Sequence, residues 1–307
     1  MTSFPASFGP HPILSSRFET LKISWALKCP QHILVVELYN PRKRNAISSK
    51  MWREIGHLFS NIIGQLDDDI RVIILKGYGH QAFTAGIDLG DASLFPTTTA
   101  TTTTTKSDEE TVDIARRGIS FAPQIRDMQQ CFTAIEQCAI PVIAAMEGTC
   151  IGAGLDLCCA CDIRLCAANT RFSVREVQIG LAADIGTLQR LPKITGNDSR
   201  VRELCYTGEF FDASDALRIG LVSRICENLM QDALCLAQTI ATNSPLAVTG
   251  TKRSLVYSRD RTVAEGLDHV AMHNALALMT DDIPEAVSAA KQKSKPQFQR
   301  IPKHSRL

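Results

Sequence analysis

The sequence predicts an α/β fold, a layered core of strand pairs and helices followed by a C-terminal helical region. Three observations carry this prediction: residues 20–79 read as strand, strand, helix, strand; a buried strand ending in a glycine turn runs into a helix near residue 142; and helical spacing dominates beyond Gly196.

The first eighteen residues hold Pro5, Pro10 and Pro12 with one arginine and no acid. They read as a flexible lead-in, with a weak targeting segment as the lesser reading, so residues 1–19 are left outside the fold. Leu21, Ile23 and Trp25 then alternate with polar neighbours, and His32 to Leu38 forms a second apolar run closed by Asn40-Pro41, which predicts a hairpin. Ser48 or Ser49 caps a helix in which Trp52, Ile55, Leu58, Phe59, Ile62, Ile63 and Leu66 recur at helical spacing. Arg71 to Leu75 is a short buried strand closed by Gly77 and Gly79. The threonine tract from Thr97 to Thr105, followed by Lys106 and acidic residues, cannot bury a core, so 96–110 reads as a mobile surface insertion. Helical spacing returns through Ile125, Met128, Phe132 and Ile135, and Pro141 opens the strand Val142 to Met146, which stops at Gly148. Short strands follow near Asp162 to Cys166 and Arg171 to Val174. Further on, Pro245 opens a helix, another spans Val263 to Met279, and Pro284 lies near the start of the last. The expected organisation is a core over 20–195, a helical region over 196–295 and a tail over 296–307.

A chain of 307 residues, 45% hydrophobic and 21% charged, buries a core without staples, and its net charge of +1 gives no bulk attraction to nucleic acid or anionic membrane. No apolar run reaches the roughly 18 residues of a membrane span. The eleven cysteines are irregularly spaced and several lie in apolar runs, which predicts reduced thiols rather than a disulfide framework. Cys158 and Cys161 form a C-x-x-C without a second pair or histidine at ligand spacing, and read as packing residues. The seven histidines form no ligand cluster, so no metal is expected.

The most informative stretch is Val142 to Leu157, a strand, the turn Gly152-Ala153-Gly154 and the start of a helix. Such a turn frees amide N–H groups at a helix N-terminus, for cradling a phosphate or for stabilising an oxyanion. A dinucleotide fingerprint is disfavoured because Leu157 stands where the third glycine belongs. A second turn, Ala82-Phe83-Thr84-Ala85-Gly86-Ile87-Asp88-Leu89, follows the Ile73-Ile74-Leu75 strand, and two such turns can aim two donors at one oxygen.

Through Asn40-Pro41-x-x-x-Asn45-Ala46, that second turn, the Pro141-Val142-Ile143-Ala144-Ala145 strand, the glycine turn and Ala160-Cys161-Asp162-Ile163-Arg164, the sequence resembles the enoyl-CoA hydratase/isomerase (crotonase) superfamily over roughly Thr20 to Lys295. The resemblance implies a spiral of strand-strand-helix units, a substrate that is a fatty acyl-CoA thioester, no cofactor beyond the CoA of the substrate, and a homotrimer or homohexamer. It implies an oxyanion hole made by the N–H groups of Ala85 and Ala153, the latter replacing the usual glycine. It places Arg42 and Arg44, the turn Ala85, Gly86, Ile87 and Asp88, and Lys252 or Arg253 from a neighbouring subunit along the CoA. By themselves the side chains of Asp88 and Asp162 read as structural, holding turns or ion pairs.

Carboxylates discriminate within the family. Asp156, Glu176 and Asp184 fall at three positions that face the acyl chain, whereas a hydratase of this family carries Glu at the first two and no acid at the third. The segments Val174 to Pro192 and Tyr257 to Asp260 are similar to those of its dienoyl-CoA isomerases. Moving a 3,5-diene to the 2,4 position needs a base at C2, an acid at C6 and a site for the dienolate charge. The resemblance assigns these to Asp184, Glu176 and the oxyanion hole, with Asp156 as an electrostatic or positioning partner. A 2-enoyl-CoA hydratase, a simple enoyl-CoA isomerase, and a non-catalytic RNA- or protein-binding oligomer are the other readings. The terminal Ser305-Arg306-Leu307 resembles the tripeptide read by the peroxisomal import receptor, which points to a peroxisome or related organelle such as a glycosome, with the mitochondrion as the lesser option.

Overall fold

The computed structural model describes residues 8–27, 32–65, 69–94 and 114–301. The expected insertion at 96–110 and Ser305-Arg306-Leu307 lie outside them. The strands are β1 (Phe8–Pro10), β2 (Leu21–Ala26), β3 (His32–Leu38), β4 (Ile70–Gly77), β5 (Ala82–Thr84), β6 (Val142–Met146), β7 (Thr149–Ile151), β8 (Ile163–Ala167), β9 (Arg171–Ser173), β10 (Phe211–Asp212) and β11 (Arg224–Cys226). The helices are α1 (Ser49–His57), α2 (Ile114–Gln137), α3 (Ala153–Ala160), α4 (Thr187–Ile194), α5 (Asp198–Thr207), α6 (Ala213–Ile219), α7 (Leu229–Ala241), α8 (Pro245–Ser258), α9 (Val263–Ala277) and α10 (Asp282–Gln292).

The main sheet has the order β1-β2-β3-β4-β6-β8-β11, with an antiparallel edge formed by the expected β2–β3 hairpin and a parallel body. Both faces of the parallel strands are covered, so they read as continuous apolar runs. In β3 and β4, Leu34, Val36, Ile73 and Leu75 enter the larger core, while Ile33, Val35, Val72 and Ile74 face a second core with Ala233, Leu234 and Ala237 of α7. A smaller sheet, β10-β9-β7-β5, lies apart from it. Each main strand β4, β6 and β8 is followed by a short strand of the smaller sheet, β5, β7 and β9, and then by a helix or helical turn. This succession is the strand-strand-helix repeat.

Ser48 rather than Ser49 caps α1, its hydroxyl accepting the Met51 N–H at 3.2 Å. The α-helix ends at His57, but a π turn over Leu58–Ile62 and a tight turn to Gln65 continue its apolar face. Trp52 stacks on Phe132 of α2, with centroids 4.6 Å apart. One expectation needs correction. The lead-in belongs to the fold from residue 8 onward: β1 pairs with β2, Leu14 and Phe18 lie in the larger core, and buried His11 accepts the N–H groups of Ile13 and Leu14 through Nδ1. The proline content hid this, because Pro10 sits on a sheet edge, where its missing donor costs nothing. The chain beyond Gly196 is mostly helical but also supplies β10 and β11, the latter extending the main sheet beside β8. Cys158 and Cys161 are buried, their thiols donating to the carbonyls of Leu155 and Leu157 at 3.4 Å, as packing residues do. No described helix is long and apolar enough to cross a membrane.

Candidate active site

Strands β5 and β7 are parallel neighbours, so the turns at their C-terminal ends emerge side by side. After β5 the chain turns through Gly86 at φ +89°, and a Cβ on Gly86 would stand 2.8 Å from the Ile151 carbonyl and 3.9 Å from the Ala153 nitrogen. Only glycine allows the two turns to approach this closely. After β7, Gly152 starts α3 at φ +52°, and the first intrahelical bonds run from Leu155 and Asp156 back to its carbonyl. The N–H of Ala153 therefore meets no acceptor among the described residues at the helix start, where the dipole favours negative charge. Ala153 is buried and its added methyl packs with the larger core.

The other expected donor has to be corrected. The N–H of Ala85 donates to the Arg44 carbonyl at 3.0 Å, that of Gly86 to Thr84 Oγ1 at 3.1 Å, and that of Asp88 to the Ile47 carbonyl at 2.9 Å. Between them, the Ile87 N–H meets no acceptor among the described residues. The free pair at this junction is Ile87 and Ala153. Both line one cavity of about 470 Å³, together with Ala85, Gly86, Asp156, Glu176 and Asp184.

The three carboxylates arrive from different elements. Asp156 lies in the first turn of α3, is 1% exposed, and accepts the Thr187 N–H at 2.5 Å, thereby capping α4, whose own N-cap is Gly186. Burial first, and then the neighbouring charge of Glu176, pushes its pKa up to about 7. Glu176 follows β9. It is buried, its Oε1 is 3.2 Å from where a Cβ on Gly152 would stand, and its Oε2 has no hydrogen-bond partner among the described residues. Burial raises its pKa, and the charge of Asp184 adds to the effect. Asp184 is the most open of the three, but its partial burial against the cavity wall still raises its pKa. Its backbone is fixed by Gln129 of α2, which donates to the Asp184 carbonyl at 2.6 Å. No cation is paired with any of the three among the described residues.

The remaining wall is apolar. Phe121, Ile125 and Met128 come from one face of α2, and Trp52, Ile179 and Leu181 from elsewhere. In the sequence the Trp52 and α2 stripes show only as apolar helical spacing, which is the same whether a residue meets another side chain or a cavity.

Not every expected CoA contact lies here. Arg42 and Arg44 are exposed on the turn before Asn45, outside the cavity. Asp88 pairs with Lys43 at 2.6 Å and accepts the Gly90 N–H, a structural role. Lys252 is the clear correction: it is 6% exposed, and its ammonium meets Asp162 at 2.7 Å and the carbonyls of Ile140 and Ile135 at 3.0 and 3.3 Å. All three of its hydrogens are engaged, so no phosphate can be held there. Asp162 also accepts the Val142 N–H and ties α8 to β6, the structural role read for it in the sequence.

Comparison with known proteins identifies the family. The enoyl-CoA hydratase/isomerase family pattern matches residues 28–301. The chain is 44% identical over 275 residues to a mitochondrial Delta(3,5)-Delta(2,4)-dienoyl-CoA isomerase of Homo sapiens, covering 89% of this chain and 79% of that protein. It is 41% identical over 264 residues to a peroxisomal Delta(3,5)-Delta(2,4)-dienoyl-CoA isomerase of Arabidopsis thaliana, covering 85% of this chain and 90% of that one. In structure it is similar to an enoyl-CoA hydratase from Bacillus anthracis, with a TM-score of 0.77 at 26% identity over 91% of this chain and 99% of that one. With two free amides set between parallel-strand turns and a cavity lined by acids, the chain belongs to the enoyl-CoA hydratase/isomerase family.

Proposed function

We propose that this protein isomerises 3,5-dienoyl-CoA to 2,4-dienoyl-CoA. The observation that carries this reading is the meeting of three carboxylates without cationic partners, Asp156, Glu176 and Asp184, with two unengaged amides in one apolar cavity. The N–H groups of Ile87 and Ala153 polarise the thioester carbonyl. Asp184 removes a proton from C2, giving a dienolate whose charge is held by the two amides, and Glu176 delivers a proton to C6. One proton leaves C2 and one arrives at C6 while the double bonds move from 3,5 to 2,4, so the reaction balances without any cofactor. A raised pKa suits both proton carriers, since it moves a carboxyl from a purely ionised group toward one that can give and take a proton. Asp156 holds α4 through Thr187, while burial and the charge of Asp184 discourage ionisation of Glu176 and keep its proton in place.

The CoA phosphates run toward the exposed Arg42 and Arg44 turn. The exposed apolar residues of the C-terminal helices, including Leu255, Val263, Leu267 and Leu276, support assembly with further copies as a homotrimer or homohexamer. Relatives named mitochondrial and peroxisomal support an organellar address, and localising a fusion that leaves Ser305-Arg306-Leu307 free tests a peroxisome or glycosome against a mitochondrion. Turnover in heavy water tests the chemistry: the product gains deuterium at C6, and Asp184→Asn blocks loss of the C2 proton. Hydration of a 2-enoyl-CoA with no isomerisation of the 3,5-dienoyl-CoA would make the protein a hydratase.

A further inference from the structure

We propose that Thr84 is a positioning residue for the dienolate, its hydroxyl fixing the direction of the Ile87 N–H relative to that of Ala153; this rests on the isomerase reading above. Thr84 is fully buried at the end of β5, yet its hydroxyl makes two directed bonds. It donates to the Asn45 carbonyl at 2.7 Å and accepts the Gly86 N–H at 3.1 Å. The acceptor carbonyl is itself held. Asn45 sits at φ 57°, and its amide donates to the carbonyls of Tyr78 and Ala82 at 3.0 and 2.9 Å and accepts the Asn40 N–H at 3.2 Å. The hydroxyl thus links a rigid anchor to the residue immediately before Ile87. The methyl group of the same side chain faces α3, since a Cβ on Gly154 would stand 2.7 Å from Thr84 Cγ2. One side chain therefore binds the peptide next to the first donor and touches the residue next to the second.

The chemistry needs this control. Hydrogen bonds to a developing oxyanion are directional, and a displacement of about 1 Å costs on the order of 10²-fold in rate. Valine at 84 keeps the shape but leaves the Asn45 carbonyl and the Gly86 N–H without partners in a buried place, so the turn relaxes.

The test compares Thr84→Val and Thr84→Ser for turnover of 3,5-dienoyl-CoA and for enolisation of a bound 3-ketoacyl-CoA, read from the near-ultraviolet absorbance of its enolate. Thr84→Val is expected to lower kcat by about 10²-fold with KM little changed, and to lower the enolate fraction at fixed pH. Thr84→Ser, which keeps the hydroxyl, is expected to restore both. If the valine variant does not fold, Thr84→Ala takes its place with the same expectations. Wild-type kcat and enolate fraction in the hydroxyl-free variant would overturn the proposal, as would a serine variant as impaired as the valine one, which would make the methyl contact decisive. A wild-type protein inactive on the dienoyl-CoA but still stabilising the enolate would remove the isomerase reading and leave the role of Thr84 standing.

Discussion

Glu136 and Glu176 are each 9% exposed, yet they are opposite kinds of carboxylate. Burial pushes the pKa of Glu136 up, but hydrogen bonds from Arg259 and Arg190 outweigh it and hold the group below its ordinary value. Glu176 has no such partners, and burial raises it. Asp162 and Asp156 differ likewise in partner, Lys252 meeting the first while the second faces Glu176 and Asp184, although burial raises the pKa of both. Depth in the molecule therefore does not mark the chemistry here. Among these four acids the partner does, and the two left without a cation, Asp156 and Glu176, are the ones that line the cavity.

The largest effect separating the two kinds is catalytic. Asp184→Asn and Glu176→Gln are each expected to lower kcat by about 10²–10⁴-fold with the fold intact, measured by appearance of the conjugated product. Glu136→Gln should do the reverse. It leaves Arg190 and Arg259 facing each other without their anion and destabilises the protein by about 3 kcal/mol, read by denaturant unfolding, while the folded fraction keeps most of its turnover.

The third contrast lies in pH. The folded pKa of Asp156 is raised from the ordinary 3.8 to about 7, so its contribution to stability is full below about 4 and is lost as pH rises to 7. The folded pKa of Glu136 is depressed, so its contribution is present above the ordinary carboxylate pKa and lost as pH falls through the lowered one. Melting curves across this window should show Asp156→Asn removing part of the decline toward neutrality, and Glu136→Gln removing part of the acid loss. Smallest of all is the exposed pair of Asp198 with Arg202, where Asp198→Asn should leave the melting temperature unchanged within error.

Much of this was legible in the sequence, for physical reasons that differ by region. Strands β3, β4 and β6 announce themselves because burial on both faces demands continuous apolar runs, and α8 to α10 because Pro245, the Val263 stripe and Pro284 punctuate them. The three acids were legible because their spacing fits a known framework, and the cavity unites them. Strands β5 and β7 were not, since three residues are too few to show a period of two, and without them the geometry of the paired turns stayed hidden. That is why the donor was placed at Ala85 rather than Ile87: which amide is engaged depends on Arg44, far away in sequence, whose carbonyl takes the Ala85 N–H. Lys252 looked like a surface cation for the same reason, its partner Asp162 being 90 residues away.

The most direct measurement is to give the purified protein a 3,5-dienoyl-CoA and a 2-enoyl-CoA in parallel, following conjugated 2,4-dienoyl absorbance in one and loss of the enoyl double bond in the other. Fast conjugation with negligible hydration, abolished in Asp184→Asn and kept in the folded fraction of Glu136→Gln, is the predicted result. Hydration without conjugation, or conjugation that survives Asp184→Asn, would contradict it.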